Sequence, residues 1–476
     1  MTALRPEIPL TAEWVASAIG SSVSSGDRSR EFSGVSIDTR TLEPGELFIA
    51  IRGERFDGAD FAAAASDAGA AGVIVPRGRG HDLAPEKGVR PLFVIIEVED
   101  PTVALQALAR AVRRASGAKV VAITGSAGKT TTKEVTGEFL AVRYQVFRNR
   151  GNFNNHIGLP LSLIELRRRP EIAVVELGMN HAGEIGTLVR VAEPDVRVWT
   201  NVGEAHLGFF PSVDAIADAK AEVFEGATST TVLVANADDD AVARRMSRFV
   251  GRLVTFGIDR DADVRATGVR SRGIDGTAAR VATPHGAFEL TTPLIGRGNL
   301  ANVLAATAVA IEFDIPLAAI AERAARLRPA SHRGEVIRLA GGVTLIDDSY
   351  NSNPSATKRA LEVLGETVDA PRRVAVLGEM LELGDRAMAL HEEVGRAAAG
   401  TRVELLIAIG GEAARALADR AVAGGVPRAN VWHVGTSEEA ADAAARLVER
   451  GDVVLVKGSR GMRTDRVVDR LKAEFA

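Results

Sequence analysis

The chain has 476 residues, of which 46% are apolar and 25% are charged, a balance typical of soluble globular proteins. It contains no cysteine, which excludes disulfides, zinc–thiolate sites and thiol nucleophiles. A net charge of −4, with acids and bases interspersed, argues against a protein that binds nucleic acid through bulk charge. The N-terminus lacks the apolar core of a secretory signal, and no segment approaches the roughly 20 apolar residues of a membrane span, so we expect a cytoplasmic protein.

Short β-branched runs alternate with longer Ala-rich stretches along most of the chain. A run without polar alternation predicts a strand buried on both faces, as in a parallel sheet covered by helices, so the predicted fold class is α/β. The predicted strands are VVAITG (120–125), IAVVELG (172–178), VRVWTNVG (196–203), TVLVANAD (231–238), RRVAVLGEM (372–380), ELLIAIGG (404–411) and DVVLVKGSRG (452–461).

We predict three domains from this pattern. They are a small mixed α/β domain (1–116), a central parallel-sheet domain with a P-loop (117–330) and a Rossmann-like α/β domain (331–476). The basic helix ARAVRRASGAK marks the first boundary, and the proline of RLRPASHRGE marks the second, because proline discourages helix just before it. Residues 260–295 are polar and glycine-broken, and we interpret them as a hairpin insertion.

The most specific motif is VVAITGSAGKTTTKE, a strand followed by a glycine turn and the start of a helix. Gly125 and Gly128 permit close backbone approach to phosphates, Lys129 would reach the β- and γ-phosphates, and Thr130 would offer a hydroxyl to Mg²⁺. The strict P-loop pattern has another glycine where this chain has Ile123, and the alternative is an ordinary glycine turn. The predicted phosphate loop comprises Thr124, Gly125, Ser126, Ala127, Gly128, Lys129, Thr130 and Thr131.

Three polar residues follow this motif in otherwise apolar surroundings: Glu176, His206 and Lys220. Each has a structural alternative, namely a solvent-exposed acid at a strand end, a packed histidine and a lysine on a solvated helix face. Open α/β sheets bind ligands at the carboxyl ends of their strands, which favours the functional interpretation.

With these residues the chain resembles the Mur ligases. The matching segments, in order between residues 124 and 467, are TGSAGKTTTKE, RGNFNNHIGLPLSL, AVVELGMNHAGEI, TNVGEAHLGFF, DAKAEVF, LIGRGNLANVLAA, IDDSYNSNP, VAVLGEMLELGD and LVKGSRGMRTDRVV. VSIDTRTLEPGELFIAIRGERFDGADF (35–61) extends the resemblance to nearly the whole chain.

The resemblance implies an ATP-dependent amide ligase of peptidoglycan precursor synthesis, and hence a role in cell shape and division. The GEMLELGD segment resembles the branch that adds D-alanyl-D-alanine to UDP-N-acetylmuramoyl-tripeptide through an acyl phosphate, releasing ADP and phosphate. The D-N-P-R tetrapeptide usual in the branch that adds the diamino acid is absent. The alternatives are that branch, a folylpolyglutamate synthase-like ligase, a P-loop ATPase switch or an inactive binding protein. We expect a monomer.

The resemblance also assigns roles to individual residues. Lys129 and Thr130 would address ATP and Mg²⁺, Glu176 and His206 would hold a second Mg²⁺, and Lys220 would be carbamylated beside the metal, so Lys129, Glu176, His206 and Lys220 form the predicted catalytic set. The predicted adenine, phosphate and ribose contacts are Asn299, Asn302, Arg333, Asp348 and Tyr350. Helix capping is the alternative for Asn299, and an exposed loop is the alternative around Tyr350.

The first domain would bind the UDP group of the acceptor. Its predicted contacts are Ser36, Asp38, Thr39 and Arg40 of SIDTR, followed by Gly53, Phe56, Asp57 and Gly58. Turn chemistry explains the Asp57-Gly58 pair equally well. Asn152, Asn154 and Asn155 would line the path of the sugar or peptide.

Overall fold

The computed structural model describes residues 6–81, 93–367 and 370–476. By its internal contacts the chain divides into two units. The first comprises Met1–Ala122, Tyr144–Met179 and Gly183–Asp195, and the second comprises Ile123–Arg143, Asn180–Ala182 and Val196–Ala476. The three domain ranges inferred above divide the chain along its sequence, and those ranges remain a prediction.

The first unit contains a five-stranded sheet of order β2-β7-β6-β5-β4, parallel except for β2, and a strand group of order β8-β10-β9. Its strands are β1 (Leu10–Thr11), β2 (Val23–Ser25), β3 (Glu31–Phe32), β4 (Val35–Ser36), β5 (Leu47–Ile49), β6 (Gly72–Pro76), β7 (Val94–Val98), most of β8 (Lys119–Thr124), β9 (Val146–Arg148) and β10 (Ile172–Glu176). Its helices are α1 (Ala12–Ala18), α2 (Ala62–Asp67), α3 (Pro101–Ser116), α5 (Gly158–Ile164) and α6 (Glu184–Ala192).

Local sequence sets the ends of α3, the helix that leads to β8. Asp100 is its N-cap and accepts hydrogen bonds from the backbone N–H groups of Thr102 (2.7 Å) and Val103 (3.3 Å). Pro101 occupies the first helical position, where a missing N–H costs nothing. Gly117 ends the helix at a φ of 69°, a conformation that glycine adopts readily. The last residue of the helix, Ser116, is therefore also the last residue of the first predicted domain.

The second unit contains two sheets. One has the order β16-β15-β14-β13-β12-β11, with β11 to β14 parallel and β14 to β16 an antiparallel meander. Its strands are β11 (Val196–Trp199), β12 (Val232–Asn236), β13 (Arg252–Gly257), β14 (Val264–Ser271), β15 (Thr277–Thr283) and β16 (Gly286–Thr292). Its helices are α4 (Lys129–Leu140), α7 (Val213–Ala221), α8 (Asp240–Met246), α9 (Gly296–Glu312) and α10 (Leu317–Ala324).

The other sheet of this unit has the order β17-β18-β22-β19-β20-β21 and is parallel except for β17. Its strands are β17 (Glu335–Arg338), β18 (Thr344–Asp348), β19 (Arg373–Gly378), β20 (Leu405–Ile409), β21 (Val431–Val434) and β22 (Val453–Lys457). The helices that follow these strands are α11 (Pro354–Glu366), α12 (Ala387–Gly400), α13 (Glu412–Ala423), α14 (Ser437–Leu447) and α15 (Asp465–Glu474). One face of the sheet packs against alanines of α14 and apolar residues of α15.

All seven strands predicted from β-branched runs are present, and the α/β fold class is confirmed. The predicted insertion at 260–295 is the β14–β16 meander, which extends the sheet from β13. In the described part of the chain no helix is long and apolar enough to cross a membrane.

Candidate active site

The phosphate loop connects the end of β8 to α4, and two of its glycines have backbone conformations that side chains rarely adopt. Gly125 has a φ of 152°, and Gly128, the N-cap of α4, has φ 81° and ψ −6°. A Cβ on Gly125 would overlap Thr200 Oγ1, and a Cβ on Gly128 would overlap Asn302 Oδ1. Both positions therefore require glycine, because another residue would be strained at this φ and its Cβ would overlap a neighbouring side chain. This excludes an ordinary turn in which alanine could replace glycine.

The segment after β11 fixes this loop from one side. Asn201 accepts a hydrogen bond from the N–H of Ala127 (2.8 Å) and donates from Nδ2 to the carbonyl of Ala127 (2.9 Å). The hydroxyl of Thr200 donates to the same carbonyl at 2.7 Å, and the N–H of Gly203 donates to Ser126 Oγ at 2.9 Å. The loop is thus anchored through its backbone at its middle, and it precedes a helix N-terminus, the arrangement that favours phosphate.

Lys129 and Thr130 begin α4 directly after this loop. Lys129 Nζ donates to the carbonyl of Gly125 at 2.8 Å, so its ammonium group folds back over the loop. Thr130 Oγ1 accepts a hydrogen bond from Arg333 Nη2 at 3.0 Å, although the two residues are 203 positions apart in sequence. Thr130 of the loop and Arg333 of the segment before β17 are therefore in contact. Each was predicted separately to contact ATP.

The two predicted asparagines lie in the first two turns of α9. Asn302 is buried, its Oδ1 accepts from Thr132 Oγ1 (3.3 Å), and its Nδ2 donates to Asn299 Oδ1 (3.2 Å). Asn299 donates in turn to the carbonyl of Ile295 at 2.9 Å. The N-cap of α9 is Ile295, so Asn299 is not the capping residue that the alternative interpretation required. The pair instead connects α9 to the start of α4.

The carboxyl end of β18 carries the remaining predicted ATP residues. Asp348 Oδ2 accepts a hydrogen bond from Nζ of the buried Lys457 at 2.6 Å, and the same ammonium donates to the carbonyl of Asn351 at 2.9 Å. The guanidinium carbon of Arg333 lies 3.9 Å from the ring centroid of Tyr350. Tyr350 is partly buried in this turn, so the exposed-loop alternative is wrong for its side chain.

In the first unit, Glu176 ends β10 and is only 4% exposed, so it is not a solvent-facing acid. Its Oε1 accepts a hydrogen bond from Asn154 Nδ2 at 2.7 Å, and its backbone N–H donates to Asn149 Oδ1 at 3.1 Å. Asn154 therefore positions this carboxylate. Asn155 has a different task, because its Oδ1 accepts from the N–H of Gly158 (2.8 Å) at the start of α5.

Lys220 lies in the last turn of α7 and is 2% exposed, so the solvated-face alternative is wrong.

His206 lies in the segment after β11 with a φ of 63°. Its Nδ1 is 2.7 Å from Glu382 Oε2, and the N–H of Gly208 donates to the carbonyl of Glu382 at 2.7 Å. The hydrogen bond to His206 holds the pKa of Glu382 below its ordinary value.

Sequence reasoning assigned no role to Glu382, although it lies in the GEMLELGD segment that carried part of the resemblance. Its φ of 64° is uncommon for a residue with a side chain and marks it as a special position. A carboxylate bonded to one imidazole nitrogen is the usual way in which a metal-binding histidine is oriented. Glu382 is therefore a candidate orienting group for His206.

The predicted UDP residues form two turns in the first unit. The carboxylate of Asp38 accepts hydrogen bonds from the guanidinium and from the backbone N–H (3.0 Å) of Arg40. These bonds lower the pKa of Asp38 to about 2. Ser36 Oγ donates to the carbonyl of Asp38 at 3.1 Å, and Thr39 lies within this turn.

In the second turn Asp57 caps a short 3-10 helix at Gly58–Phe61, as turn chemistry predicts. Phe56 is 69% exposed, so its ring is available to a ligand, and Gly53 donates to its carbonyl at 2.9 Å. Asn152 is exposed.

A metal was predicted near the phosphate loop, and the donor set limits how it could be held. No group of three or more His, Asp or Glu side chains suited to a metal occurs within residues 6–81, 93–367 and 370–476. The hydroxyl of Thr130 and the imidazole of His206 are two groups of this unit that could each donate an electron pair to a metal. They fit Mg²⁺, which is usually bound by one or two protein groups together with substrate phosphates and water.

Comparison with known proteins agrees with this geometry. Three family models match in succession: "Mur ligase family, catalytic domain" at residues 31–113, "Mur ligase middle domain" at 123–310 and "Mur ligase, glutamate ligase domain" at 332–460. The UDP-N-acetylmuramoyl-tripeptide--D-alanyl-D-alanine ligase of Bacillus subtilis is 34% identical over 92% of this chain and 93% of its own length. The Escherichia coli ligase of the same name is 35% identical over the same shares.

Solved structures give the same result. MurF from Acinetobacter baumannii is 30% identical, with a TM-score of 0.87 over 98% of this chain and 100% of its own. The MurF ligase from Thermotoga maritima, solved in complex with ADP, is 29% identical, with a TM-score of 0.80 over 93% of this chain and 97% of its own. On its sequence and its fold, the chain belongs to the Mur ligase family.

Proposed function

We propose that the chain is an ATP-dependent amide ligase that joins D-alanyl-D-alanine to UDP-N-acetylmuramoyl-tripeptide in peptidoglycan precursor synthesis. The observation that carries the proposal is the hydrogen bond between Arg333 and Thr130, which brings a second cation to a phosphate loop that already holds Lys129. The relatives that bear this activity in their names align over more than nine tenths of their length and support the choice of substrates.

The reaction needs two steps because a carboxylate is a poor electrophile. A terminal carboxylate oxygen of the tripeptide attacks the γ-phosphorus of ATP, the bond between that phosphorus and the bridging oxygen breaks, and ADP leaves. The deprotonated amine of D-alanyl-D-alanine then attacks the acyl carbon, the carbon–oxygen bond to phosphate breaks, and inorganic phosphate leaves. The protein contributes positioning and neutralisation of charge that builds up on the transferred group.

The residues of the second unit divide this work. Lys129, bonded to the carbonyl of Gly125, and Arg333, bonded to the hydroxyl of Thr130, supply positive charge at the phosphate loop, where the β- and γ-phosphates would lie. The N-terminus of α4, with Gly128 as its N-cap, favours the negative charge of a phosphate group. Asp348, held by Lys457, would accept a hydrogen bond from a ribose hydroxyl. These donors are fixed before the reaction, which is the condition for strong electrostatic stabilisation.

Thr130 and His206 are the proposed protein ligands of Mg²⁺ in this unit, and Glu382 would orient the imidazole. Bound Mg²⁺ would neutralise phosphate oxygens and withdraw charge from the transferred phosphoryl group. The roles of Glu176 as a ligand and of Lys220 as a carbamate remain predictions from the resemblance. Burial of Lys220 supports the second, because a carbamate in a buried position is shielded from bulk water.

The test is release of ADP from the purified protein, measured with ATP and Mg²⁺ while the acceptor and the amine are omitted in turn. We expect ADP release to require both UDP-N-acetylmuramoyl-tripeptide and D-alanyl-D-alanine, with one amide formed per ADP. ADP release that needs neither substrate would indicate a P-loop switch. Release that requires a diamino acid or a glutamate in place of the dipeptide would indicate another ligase of this architecture.

The nucleotide-linked acceptor and ATP would place the reaction in the cytoplasm. A monomer is the proposed assembly state, and sedimentation equilibrium of the purified protein at assay concentration would test it.

A further inference from the structure

Arg333 reaches the phosphate loop from a segment with an unusual backbone. Its guanidinium donates to Thr130 Oγ1 at 3.0 Å and lies over the ring of Tyr350. The residues on either side of Arg333 are both left-handed, with a φ of 60° at His332 and of 72° at Gly334. Glycine adopts this conformation readily, whereas histidine adopts it at a cost in free energy, so other contacts must hold His332 there.

Those contacts run to β18 and to the turn that follows it. Nδ1 of His332 lies 2.8 Å from Oδ2 of Asp347, whose carboxylate is fully buried. The carbonyl of His332 accepts a hydrogen bond from the N–H of Tyr350 at 3.2 Å. The N–H of Gly334 donates to the carbonyl of Asp347 at 2.9 Å. The backbone of Arg333 is therefore held between two residues that are both fastened to the end of the same strand.

Ser349 binds the other oxygen of the buried carboxylate. Its hydroxyl and its N–H donate to Oδ1 of Asp347 at 2.6 Å and 3.2 Å, and the hydroxyl lies 3.3 Å from Nδ1 of His332. In a catalytic triad the serine and the carboxylate bond opposite nitrogens of the imidazole, whereas here both lie against Nδ1. The cluster is therefore not arranged to activate the serine. It supplies the buried carboxylate with the hydrogen bonds that burial requires and leaves Oδ2 to His332.

We infer that His332 is a positioning residue, which acts on the reaction through Arg333. The inference rests on the proposed function, in which Arg333 neutralises charge at the phosphates. The bond to Asp347 keeps His332 left-handed, and this conformation directs the next side chain toward Thr130. Without that bond the segment gains other backbone conformations, and the one that reaches the loop is populated less. The rate falls with that population, because a charge stabilises the transition state only where it is already in place.

The test measures kcat/KM for ATP during ligation in His332→Ala, in Arg333→Ala and in the double variant. Arg333→Ala should lose on the order of a hundred- to a thousandfold, as when one donor to a reacting group is removed. His332→Ala should lose about ten- to a hundredfold, the upper figure being the cost of misplacing a group by about 1 Å. The double variant should match Arg333→Ala, because a positioning residue has no effect once the group that it positions is gone.

Two further substitutions separate the conformation of His332 from its hydrogen bond. Asparagine tolerates a left-handed conformation and carries an amide N–H that can donate to Asp347, so His332→Asn should stay within about fivefold of the unaltered protein. Glycine adopts the conformation but has no side-chain donor, so His332→Gly should lie between the alanine and asparagine variants. His332→Gly takes the place of His332→Ala in the double variant if the latter does not fold.

The matched control is Arg402→Ala, in the turn between α12 and β20. Arg402 has a φ of 59°, so this substitution places alanine in the same conformation but at the amino end of a strand. It should leave kcat/KM unchanged even if it lowers the urea midpoint.

Losses that multiply in the double variant would overturn the inference, because they would show that His332 acts independently of Arg333. A kcat/KM of His332→Ala within about twofold of the unaltered protein would also overturn it. If the unaltered protein forms no amide from UDP-N-acetylmuramoyl-tripeptide and D-alanyl-D-alanine, the proposed function has failed, and this outcome is distinct because it precedes any substitution.

Discussion

Replacing Gly128 with alanine should damage the phosphate loop far more than a comparable replacement elsewhere. Gly183 is the matched control, because both glycines are helix N-caps, with φ 81° and ψ −6° at Gly128 and φ 86° and ψ −14° at Gly183. The left-handed conformation costs a residue with a side chain about 1–2 kcal/mol at either position. A Cβ on Gly183 would meet nothing within 4 Å, whereas one on Gly128 would overlap the amide oxygen of Asn302.

The extra cost at Gly128 follows from what Asn302 does. Moving its side chain weakens the bonds to Thr132 (3.3 Å) and Asn299 (3.2 Å), each of which contributes about 0.5–1.5 kcal/mol. We therefore expect Gly128→Ala to lower the free energy of unfolding by about 2–5 kcal/mol, against about 1–2 kcal/mol for Gly183→Ala. Displacing the loop should also weaken nucleotide binding by on the order of ten- to a hundredfold, since hydrogen bonds to charged groups contribute about 1.5–3 kcal/mol each.

Urea unfolding and calorimetric titration with a non-hydrolysable ATP analogue would measure both effects. Because the new methyl group and Asn302 collide, Gly128→Ala combined with Asn302→Ala should be less destabilised than the sum of the two single variants. Equal losses of stability in Gly128→Ala and Gly183→Ala, with unchanged affinity for the analogue in both, would refute the steric argument.

Three further predictions concern single side chains. Lys129→Ala should lower the ligation rate on the order of a thousandfold or more without unfolding the protein. The control is Lys119→Ala, which removes an exposed lysine paired with Asp195 and should leave the ligation rate unchanged. A ligation rate of Lys129→Ala within tenfold of the unaltered protein would contradict the prediction. Burial lowers the pKa of His391, so the unfolded state binds the proton more readily than the folded state does. The contribution of His391 to the free energy of unfolding should be complete above pH 6.5 and should fall by up to about 1.4 kcal/mol per pH unit below it. His391→Gln should lose this slope in urea unfolding between pH 7.5 and 5.5, and an unchanged slope would rule the histidine out. Lys220→Ala should be nearly inactive and partly rescued by a small carboxylic acid, and ¹³CO₂ should give a carbamate NMR signal in the unaltered protein that the variant lacks; absence of that signal from both would remove the carbamate.

The local sequence pattern was sufficient to predict the seven strands and the phosphate loop. The seven β-branched runs are strands because burial on both faces imposes that composition, and the loop follows from glycines whose conformations few other residues adopt. The hydrogen bonds that Asn155 accepts in the turn before α5 could also have been predicted, because an asparagine side chain in a turn commonly bonds the backbone two residues further on.

Contacts between distant segments could not be predicted in this way. Glu382 and His206 are 176 positions apart, and neither residue alone indicates the other. Burial of Lys220 depends on the packing of α7, which a polar helical segment does not reveal. Tyr350 follows β18, and its contacts with Arg460 and Arg333 arise because β22 and β17 are the two neighbours of β18 in the sheet, a pairing set by topology.

The central claim is that ATP activates the acceptor carboxylate, and one isotope experiment tests it most directly. The acceptor tripeptide is labelled with ¹⁸O in its terminal carboxylate and converted with ATP and D-alanyl-D-alanine, and the phosphate released is analysed by mass spectrometry. The account predicts one ¹⁸O atom in each phosphate and ADP as the other product, because the oxygen that attacks the γ-phosphorus leaves with it. Unlabelled phosphate, or label in AMP, would contradict the account.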